Sequence, residues 1–168
     1  MSQDQFKRVA TEYDRILQES QFQIDLAERT GIWSAEIEMQ IGPVSLATVV
    51  EEAVVPLRER FPDVTLGVDV AGDLKARGDG RWVREIVFNM AENAVHAIVE
   101  KSGDRRVEIR GATEGAFVRI EVLDSGAGVH PADAERIFQP RITSKKGGRH
   151  LPLGTGMGLP IARRCAQM

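Results

Sequence analysis

The chain has 168 residues, of which 42% are hydrophobic and 28% are charged, and its formal net charge is −3. This length suits one domain or a domain with an appendage, and the hydrophobic share is enough to build a core. The slightly acidic balance excludes a general nucleic-acid-binding surface, and no apolar run approaches the roughly 18 residues that span a bilayer. The single cysteine, Cys165, excludes an intrachain disulfide and fits a reducing compartment. We therefore expect a cytoplasmic chain without membrane contact, which is compatible with a membrane anchor elsewhere in a parent protein.

The first 31 residues are predicted to form a unit of their own. Residues 4–30 contain no proline or glycine, and Phe6, Val9, Tyr13 and Ile16 begin an a/d stripe of seven-residue period. The stripe becomes polar in its middle. Such a helix cannot bury its apolar face alone, so it packs either on its own domain or, like a coiled coil, against a second helix. We expect a weak homodimer through residues 4–30 and a separate domain over 32–168.

The remainder of the chain alternates predicted strands and helices. Alternating apolar and polar residues predict a strand that runs to Ser45, which then caps a helix that Pro56 bends or interrupts. The later predictions are a strand at 64–70, a long helix over about 80–101 capped by Asp79, a β-hairpin formed by 105–112 and 116–124, a short helix near 132–137, and a last helix from Thr155. This mixture predicts an α+β fold, a two-layer sandwich of a mixed sheet and about three helices after the long N-terminal helix.

The long helix over 80–101 has an apolar face and a polar edge. The predicted core face consists of Val83, Val87, Met90, Ala94 and Ala97. The polar edge consists of Glu85, Asn89, Asn93 and His96. Asparagine is a mediocre helix former, so two asparagines four residues apart suggest either a function or simply a solvated surface. In the functional case, their amide oxygens could bind a hard cation such as Mg²⁺.

Two glycine-rich runs follow, "DSGAGV" at Asp124–Val129 and "GTGMGL" at Gly154–Leu159. Glycine loses more backbone entropy on folding than any other residue. Paired glycines therefore indicate a backbone that must pass close to a neighbouring group. Phosphate is the first candidate, because a glycine loop can direct several backbone N–H groups at an anion.

The order "NMAENA", "DSGAG", "GTGMGL" resembles the ATP-binding domain shared by sensor histidine kinases, DNA gyrase, heat-shock chaperone ATPases and mismatch-repair ATPases. The intervening "IFQPRITSKKGG" resembles the phenylalanine box and ATP lid of histidine kinases, particularly the nitrogen-regulation type, whose Thr-Thr-Lys signature stands here as Thr143, Ser144 and Lys145. "GPVSL" at 42–46 resembles the start of the same domain. The resemblance covers roughly residues 35–168 and is strongest for sensor histidine kinases.

The resemblance implies ATP and Mg²⁺ as ligands and assigns a role to each motif. Asp124 would accept a hydrogen bond from the adenine amine, and Gly126 and Gly128 would let the chain pass close to the ring. Asn93 would hold Mg²⁺, and Asn89 would help to fix the metal or the phosphates. The loop "DSGAGV" would thus bind adenine and not phosphate.

The resemblance places the phosphates between the second glycine run and the lid. The residues implied in the second run are Gly154, Thr155, Gly156, Gly158 and Leu159. Those implied in the lid are Arg141, Thr143, Ser144, Lys145 and Lys146, of which Arg141 and Lys145 would act on the transferring phosphoryl group together with Asn89. We expect nucleotide to order the segment 139–152, whereas the alternative for this basic stretch is a solvated loop.

The chain departs from the histidine kinase pattern at three points. None of His96, His130 and His150 is followed by an acidic residue, so the acceptor histidine is expected on a dimerisation hairpin of which 1–31 resembles the second helix. The family's closing helix is followed by two further strands that this sequence does not include. Pro160 stands where the family often has alanine, in a first helical turn that tolerates proline.

Three functions follow from these motifs. Hydrolytic relatives carry a glutamate as general base four residues before the metal-binding asparagine, where this chain has Asn89, which cannot take a proton. A sensor histidine kinase core is therefore favoured, with a histidine-bearing dimerisation helix and a response regulator receiver domain as partners. The alternatives are a protein-serine kinase of the anti-sigma-factor type and a non-catalytic nucleotide-binding or docking module.

Overall fold

The computed structural model describes residues 39–99, 103–139, 142 and 156–167. The predicted helix over 4–30 and its proposed pairing lie outside the described residues. The elements are β1 (Gly42–Ser45), α1 (Leu46–Arg60), β2 (Thr65–Val70), β3 (Lys75–Gly78), α2 (Gly80–Ile98), β4 (Arg106–Glu114), β5 (Phe117–Asp124), two 3-10 turns (Pro131–Asp133 and Arg136–Phe138) and α3 (Gly158–Gln167). This composition confirms the predicted α+β class.

The described strands form two sheets. β1 and β3 pair antiparallel, so that Val44 lies opposite Ala76. β2 runs parallel to β4, and β4 runs antiparallel to β5, which makes a mixed three-stranded sheet in the order β2-β4-β5. The hairpin prediction is confirmed, whereas β3 was not predicted, because its four residues "KARG" have no apolar alternation.

The core lies between the three-stranded sheet and the helices α1 and α2. Its buried members include Val50, Val54 and Leu57 from α1, Val87, Val95 and Ile98 from α2, and Leu66, Val107 and Ile109 from the sheet. A second cluster joins Val44, Leu46 and Val49 to half-buried side chains from both sheets. Each fully buried aliphatic side chain of this kind contributes about 1.5–3 kcal/mol, so the shared helical layer holds the two sheets together.

Helix α1 begins where the sequence predicts, but its cap and its middle differ from expectation. Ser45 has the extended backbone of an N-cap, yet its Oγ contacts Thr48 Oγ1 at 3.0 Å and caps no backbone N–H. An interruption at Pro56 is wrong, because the helix continues through it to Arg60. Pro56 is exposed, while Val54 and Leu57 on either side are buried, and this burial offsets the missing hydrogen bond.

Helix α2 confirms Asp79 as its cap and partly corrects its predicted core face. Val87 and Ala94 are buried as predicted, and Val83 and Met90 are half-buried, but Ala97 is exposed. The helix turns Ala97 towards the loop after β5 and not towards the sheet. The other buried apolar positions on α2 are Ala91, Val95 and Ile98.

Two further predictions change near the end of the chain. The single short helix expected at 132–137 is a pair of 3-10 turns. The last helix begins at Gly158 and not at Thr155, because Gly156 has a φ of 65°, which a right-handed helix cannot contain. Pro160 lies in the first turn of α3, where a backbone N–H is not needed. None of the helices in the described part of the chain is long and apolar enough to cross a membrane.

The carboxylate of Asp79 fixes the start of α2. Oδ1 accepts hydrogen bonds from the backbone N–H of Arg81 (3.0 Å) and from its Nε (3.2 Å), and Oδ2 accepts from Arg81 Nη2 (2.7 Å) and from the backbone N–H of Gln40 (2.8 Å). Asp79 is only 3% exposed. The hydrogen bond from the Arg81 side chain, followed by that from Gln40, holds the pKa of this carboxyl well below its usual range. Asp79 therefore joins the segment before β1 to the start of α2.

Replacing Asp79 with asparagine should lower the midpoint of thermal unfolding by several degrees at neutral pH, because asparagine keeps a capping oxygen but loses the charge. Since the folded pKa lies below the ordinary value of 3.8, the carboxylate's contribution is fully present above that pH and is lost as the pH falls below it. Melting curves of wild type and Asp79→Asn should therefore converge in acid. Asp73→Asn, the same charge change at an exposed position, is the control. A constant difference at every pH would contradict this assignment.

Candidate functional site

Asn89, a candidate ligand-binding residue on α2, has a buried polar side chain. It is 1% exposed, and its Nδ2 donates to the backbone oxygen of Glu85 at 2.8 Å and to Glu85 Oε1 at 2.7 Å. The amide nitrogen is thus directed at Glu85, one turn earlier on α2, and the amide oxygen is turned away from it. This burial contradicts the interpretation of Asn89 as a solvated surface residue.

Asn93 and His96 continue the polar edge of α2 beyond Asn89. Asn93 lies one turn after Asn89 and is half-buried. His96 is also half-buried, and its ring meets that of Phe61 edge-on, with centroids 5.8 Å apart and planes at 88°. Phe61 caps α1, so His96 belongs to the contact between α1 and α2.

Hydrogen bonds hold the loop after β5, both within the loop and to residues at the start of β4. Asp124 Oδ1 accepts from the backbone N–H of Gly126 at 2.7 Å, which makes a tight side-chain-to-backbone turn. Ser125 donates its N–H to the Arg106 carbonyl at 3.0 Å and its hydroxyl to the Asp104 carbonyl at 2.8 Å. These bonds anchor the loop at the start of β4.

Glycine is favoured at positions 126 and 128 of this loop for two different physical reasons. A Cβ at Gly126 would overlap with the Asp124 carboxylate and lie 3.3 Å from the Cβ of Ala97 on α2, so a side chain there would require the Asp124 carboxylate to move. Gly128 has open space around it but a φ of 73°, in the left-handed region that favours glycine. Both glycines are therefore favoured by the observed loop geometry, before any ligand is considered.

Helix α3 packs along the first half of α2. Met157, Ile161 and Cys165 form a buried cluster against Trp82 and Ile86 of α2. Burial raises the pKa of the Cys165 thiol to about 11, and the negative charge of Glu85 adds to this shift. The thiol therefore stays protonated at neutral pH and acts as a packing residue. The contact with Ile86, which follows Glu85 directly, places α3 beside this part of α2.

Arg163 on α3 contacts the segment after the Asp124 loop, a link that sequence analysis missed. Its Nη1 lies 3.0 Å from Glu135 Oε2, and its guanidinium carbon lies 5.5 Å from the centroid of the Phe138 ring. Arg163 lies 28 residues after Glu135 in the sequence, so no local pattern indicates the contact. The link joins the second 3-10 turn to α3.

The structure therefore groups the described candidates around α2. Asn89 and Asn93 lie on α2, the loop with Asp124, Gly126 and Gly128 meets the helix near Ala97, and Gly156, Gly158 and Leu159 stand at the start of α3. The remaining predicted residues lie outside the described residues: Arg141, Thr143, Ser144, Lys145, Lys146, Gly154 and Thr155. Within the described ranges, no group of three or more His, Cys, Asp or Glu side chains could hold a metal ion.

Comparison with known proteins agrees with this geometry. The family described as histidine kinase-, DNA gyrase B-, and HSP90-like ATPase matches residues 78–168, more than half of the chain. The matched part contains α2, the Asp124 loop and α3. The chain belongs to this ATPase family.

Its relatives include several sensor kinases. The chain is 33% identical over 108 residues to the sensor protein TorS of Escherichia coli (strain K12), which covers 62% of this chain and 11% of TorS. It is 29% identical over 149 residues to the C4-dicarboxylate transport sensor protein DctB of Rhizobium meliloti (strain 1021), covering 83% of this chain and 23% of DctB. The chain thus spans less than a quarter of the length of either relative.

The fold is also that of histidine kinase structures. The crystal structure of full-length ShkA in complex with AMPPNP matches with a TM-score of 0.73 at 24% identity, covering 94% of this chain and 33% of that chain. At this identity, the similarity establishes the fold, and it confirms the two-layer arrangement inferred from the sequence.

Replacing Gly126 with alanine should destabilise the domain by about 0.5–1.5 kcal/mol, the usual contribution of the one hydrogen bond that would be broken. The new methyl group would displace the Asp124 carboxylate from the Gly126 N–H. Urea unfolding gives the stability change, and backbone NMR shifts over 124–128 show whether the loop moves.

Gly72→Ala is the matched control, because nothing lies within 4 Å of a Cβ there. If Gly126→Ala were as stable as the control and left the resonances of 124–128 in place, the steric account of this loop would be wrong.

Proposed function

We propose that this chain is the catalytic ATP-binding part of a two-component sensor histidine kinase, which transfers the γ-phosphoryl group of ATP to a histidine on a separate dimerisation helix. The observation that carries the proposal is the buried amide of Asn89. A water-activating base would be needed at this position for hydrolysis, and an amide cannot accept a proton at neutral pH. The neighbouring Glu85 carboxylate accepts a hydrogen bond from Asn89. Bound ATP would then persist until an external imidazole attacks.

The Asp124 loop would bind adenine. Gly126 N–H holds Oδ1 of Asp124, which orients the carboxylate so that Oδ2 can accept from the adenine amine. The exposure of Asp124 leaves it accessible to a ligand. Because Gly126 and Gly128 carry no side chains, the loop offers a bare backbone beside the carboxylate, and this supports a flat ring as its ligand.

The amide oxygens of Asn93 and Asn89 would hold Mg²⁺. Mg²⁺ prefers oxygen ligands, retains several waters, and binds substrate phosphates with only one or two protein groups. The proposed donor set, two amide oxygens four residues apart on α2, supplies the kind of ligand atom that Mg²⁺ prefers. When bound, Mg²⁺ would neutralise part of the phosphate charge, while α2 keeps the two amides one helical turn apart.

The phosphates would lie at the start of α3. Gly156 and Gly158 leave the backbone open there, and Leu159 is half-buried next to them. Gly154 and Thr155 would extend this surface. We assign Arg141, Lys145 and Lys146 to the phosphoryl charge and Thr143 and Ser144 to the same basic lid, on the strength of the sequence resemblance alone.

The partners follow from the same proposal. A kinase of this class needs a histidine-bearing dimerisation helix as acceptor and a response regulator receiver domain as the next recipient, and residues 4–30 would contribute to a homodimer. The sensor functions named for the relatives support this choice over an anti-sigma-factor-type serine kinase or a non-catalytic module.

Replacing Asp124 with asparagine should weaken ATP binding about ten-fold or more and abolish the preference for ATP over GTP. Asparagine can present a donor where adenine requires an acceptor, and a hydrogen bond to a charged group is worth about 1.5–3 kcal/mol. Calorimetric titration of both nucleotides measures this change. Asp73→Asn should keep the wild-type preference. If Asp124→Asn still favoured ATP as wild type does, adenine would lie elsewhere.

Incubation with γ-labelled ATP should leave this chain unlabelled and label an added dimerisation hairpin from a sensor kinase. In-line attack requires a reacting nitrogen about 3–3.5 Å from the phosphorus. His96 is held on α2 against Phe61, and His130 is tied to the turn by the bond from Ala132 N–H to its Nδ1. Label on the hairpin should be acid-labile and stable to base. Stoichiometric base-stable label on this chain would refute the proposal, as would transfer to serine.

A further inference from the structure

The nitrogen end of the Asn89 amide is directed at Glu85. Nδ2 donates to two oxygens of Glu85, namely its backbone oxygen at 2.8 Å and its carboxylate oxygen Oε1 at 2.7 Å. The Asn89 side chain is only 1% exposed, so water cannot readily replace a lost partner of its Nδ2.

The two ends of an asparagine side chain differ in chemistry but hardly in shape. A half-turn of the amide exchanges an oxygen acceptor for a nitrogen donor at nearly the same place. At Asn89, such a flip would bring Oδ1 against the two oxygens of Glu85, and all three groups would be acceptors. The carboxylate therefore penalises the flipped state more strongly than the backbone oxygen alone would.

We propose that Glu85 is a positioning residue, which holds the Asn89 amide so that its oxygen is presented to the metal and phosphates. The proposal deepens the assignment of this site to ATP and Mg²⁺ and rests on it. A cation accepts an amide oxygen but is repelled by an amide N–H, so a flipped Asn89 would bind poorly. Glu85 itself touches neither the nucleotide nor the metal in this scheme.

The position of Glu85 is suited to this role. It is half-buried on α2, beside the interface with α3, where its charge is felt by the buried Cys165 thiol. It lies one helical turn before Asn89, the spacing at which side chains on a helix meet. Packing of Ile161 and Cys165 against Trp82 and Ile86 keeps this part of α2 covered.

Two variants separate hydrogen bonding from charge. Glu85→Ala removes the side-chain acceptor and keeps the backbone one, whereas Glu85→Gln keeps one acceptor oxygen at the same reach, removes the charge and replaces the second carboxylate oxygen with an N–H₂ group. Glu59→Ala, at an exposed position of α1, is the control for losing a glutamate from a helix. Melting curves establish that each variant is folded before it is used.

The first measurement needs no ligand. The side-chain N–H₂ resonances of Asn89, assigned through their loss in Asn89→Asp, should be well dispersed and slow to exchange in wild type, Glu85→Gln and Glu59→Ala. In Glu85→Ala, their exchange should be at least about ten-fold faster, since one hydrogen bond is worth about a factor of ten. Unchanged exchange in Glu85→Ala would overturn the proposal.

The second measurement is calorimetric titration of ATP with excess Mg²⁺ and again with EDTA. Glu85→Ala should weaken binding about ten-fold with Mg²⁺ and less than about two-fold without it, and Glu85→Gln should remain within about two-fold of wild type in both. Equal losses with and without Mg²⁺, or a Glu85→Gln as weak as Glu85→Ala, would overturn the positioning role. Failure of wild type itself to bind ATP would refute the proposed function, and the resonances of Asn89 would then show separately whether Glu85 orients it.

Discussion

The bonds that Asp79 makes at the start of α2 are the constraint on which the candidate site depends. Its carboxylate caps the helix, pairs with Arg81 and receives the N–H of Gln40, so the helix begins at a fixed point relative to the strand before α1. The positions of the described site residues depend on α2, because the Asp124 loop contacts its second half and α3 packs on its first half. A shift of the helix start would rotate the asparagines relative to both.

Helix α2 has to present both apolar side chains to the core and polar side chains to the candidate site. One side supplies Val87, Val95 and Ile98 to the core, which requires an apolar stripe, while another side must offer polar oxygens close to that core. Burying an amide is costly unless it is hydrogen-bonded, and at Asn89 the partner comes from the same helix, one turn earlier. The amide nitrogen is therefore satisfied without help from a ligand. This local solution lets α2 carry binding groups and still serve as the central packing element.

The absence of a carboxylate at position 89 gives the site its proposed chemistry. An amide can orient a phosphate or a metal, but it cannot take a proton from water. In the proposed scheme, a site of this composition would hold its nucleotide until a nucleophile from outside attacks. Two relatives of this chain are named as sensor proteins, and this agrees with the proposed transfer to a partner. Glu85, engaged by Asn89, supports orientation and leaves the chemistry unchanged.

The sequence by itself determined the elements whose signals are local. The period of the β4–β5 hairpin, the cap at Asp79 and the glycine motifs all depend on residues a few positions apart, and each was predicted from that spacing. Only the tertiary structure decided that Asn89 is buried, that Ala97 faces the Asp124 loop, that β3 pairs with β1, and that Arg163 reaches Glu135. Burial and pairing are set by neighbours far away in sequence, as when Ile161 and Cys165 pack against Trp82, and no periodicity along one segment contains that information.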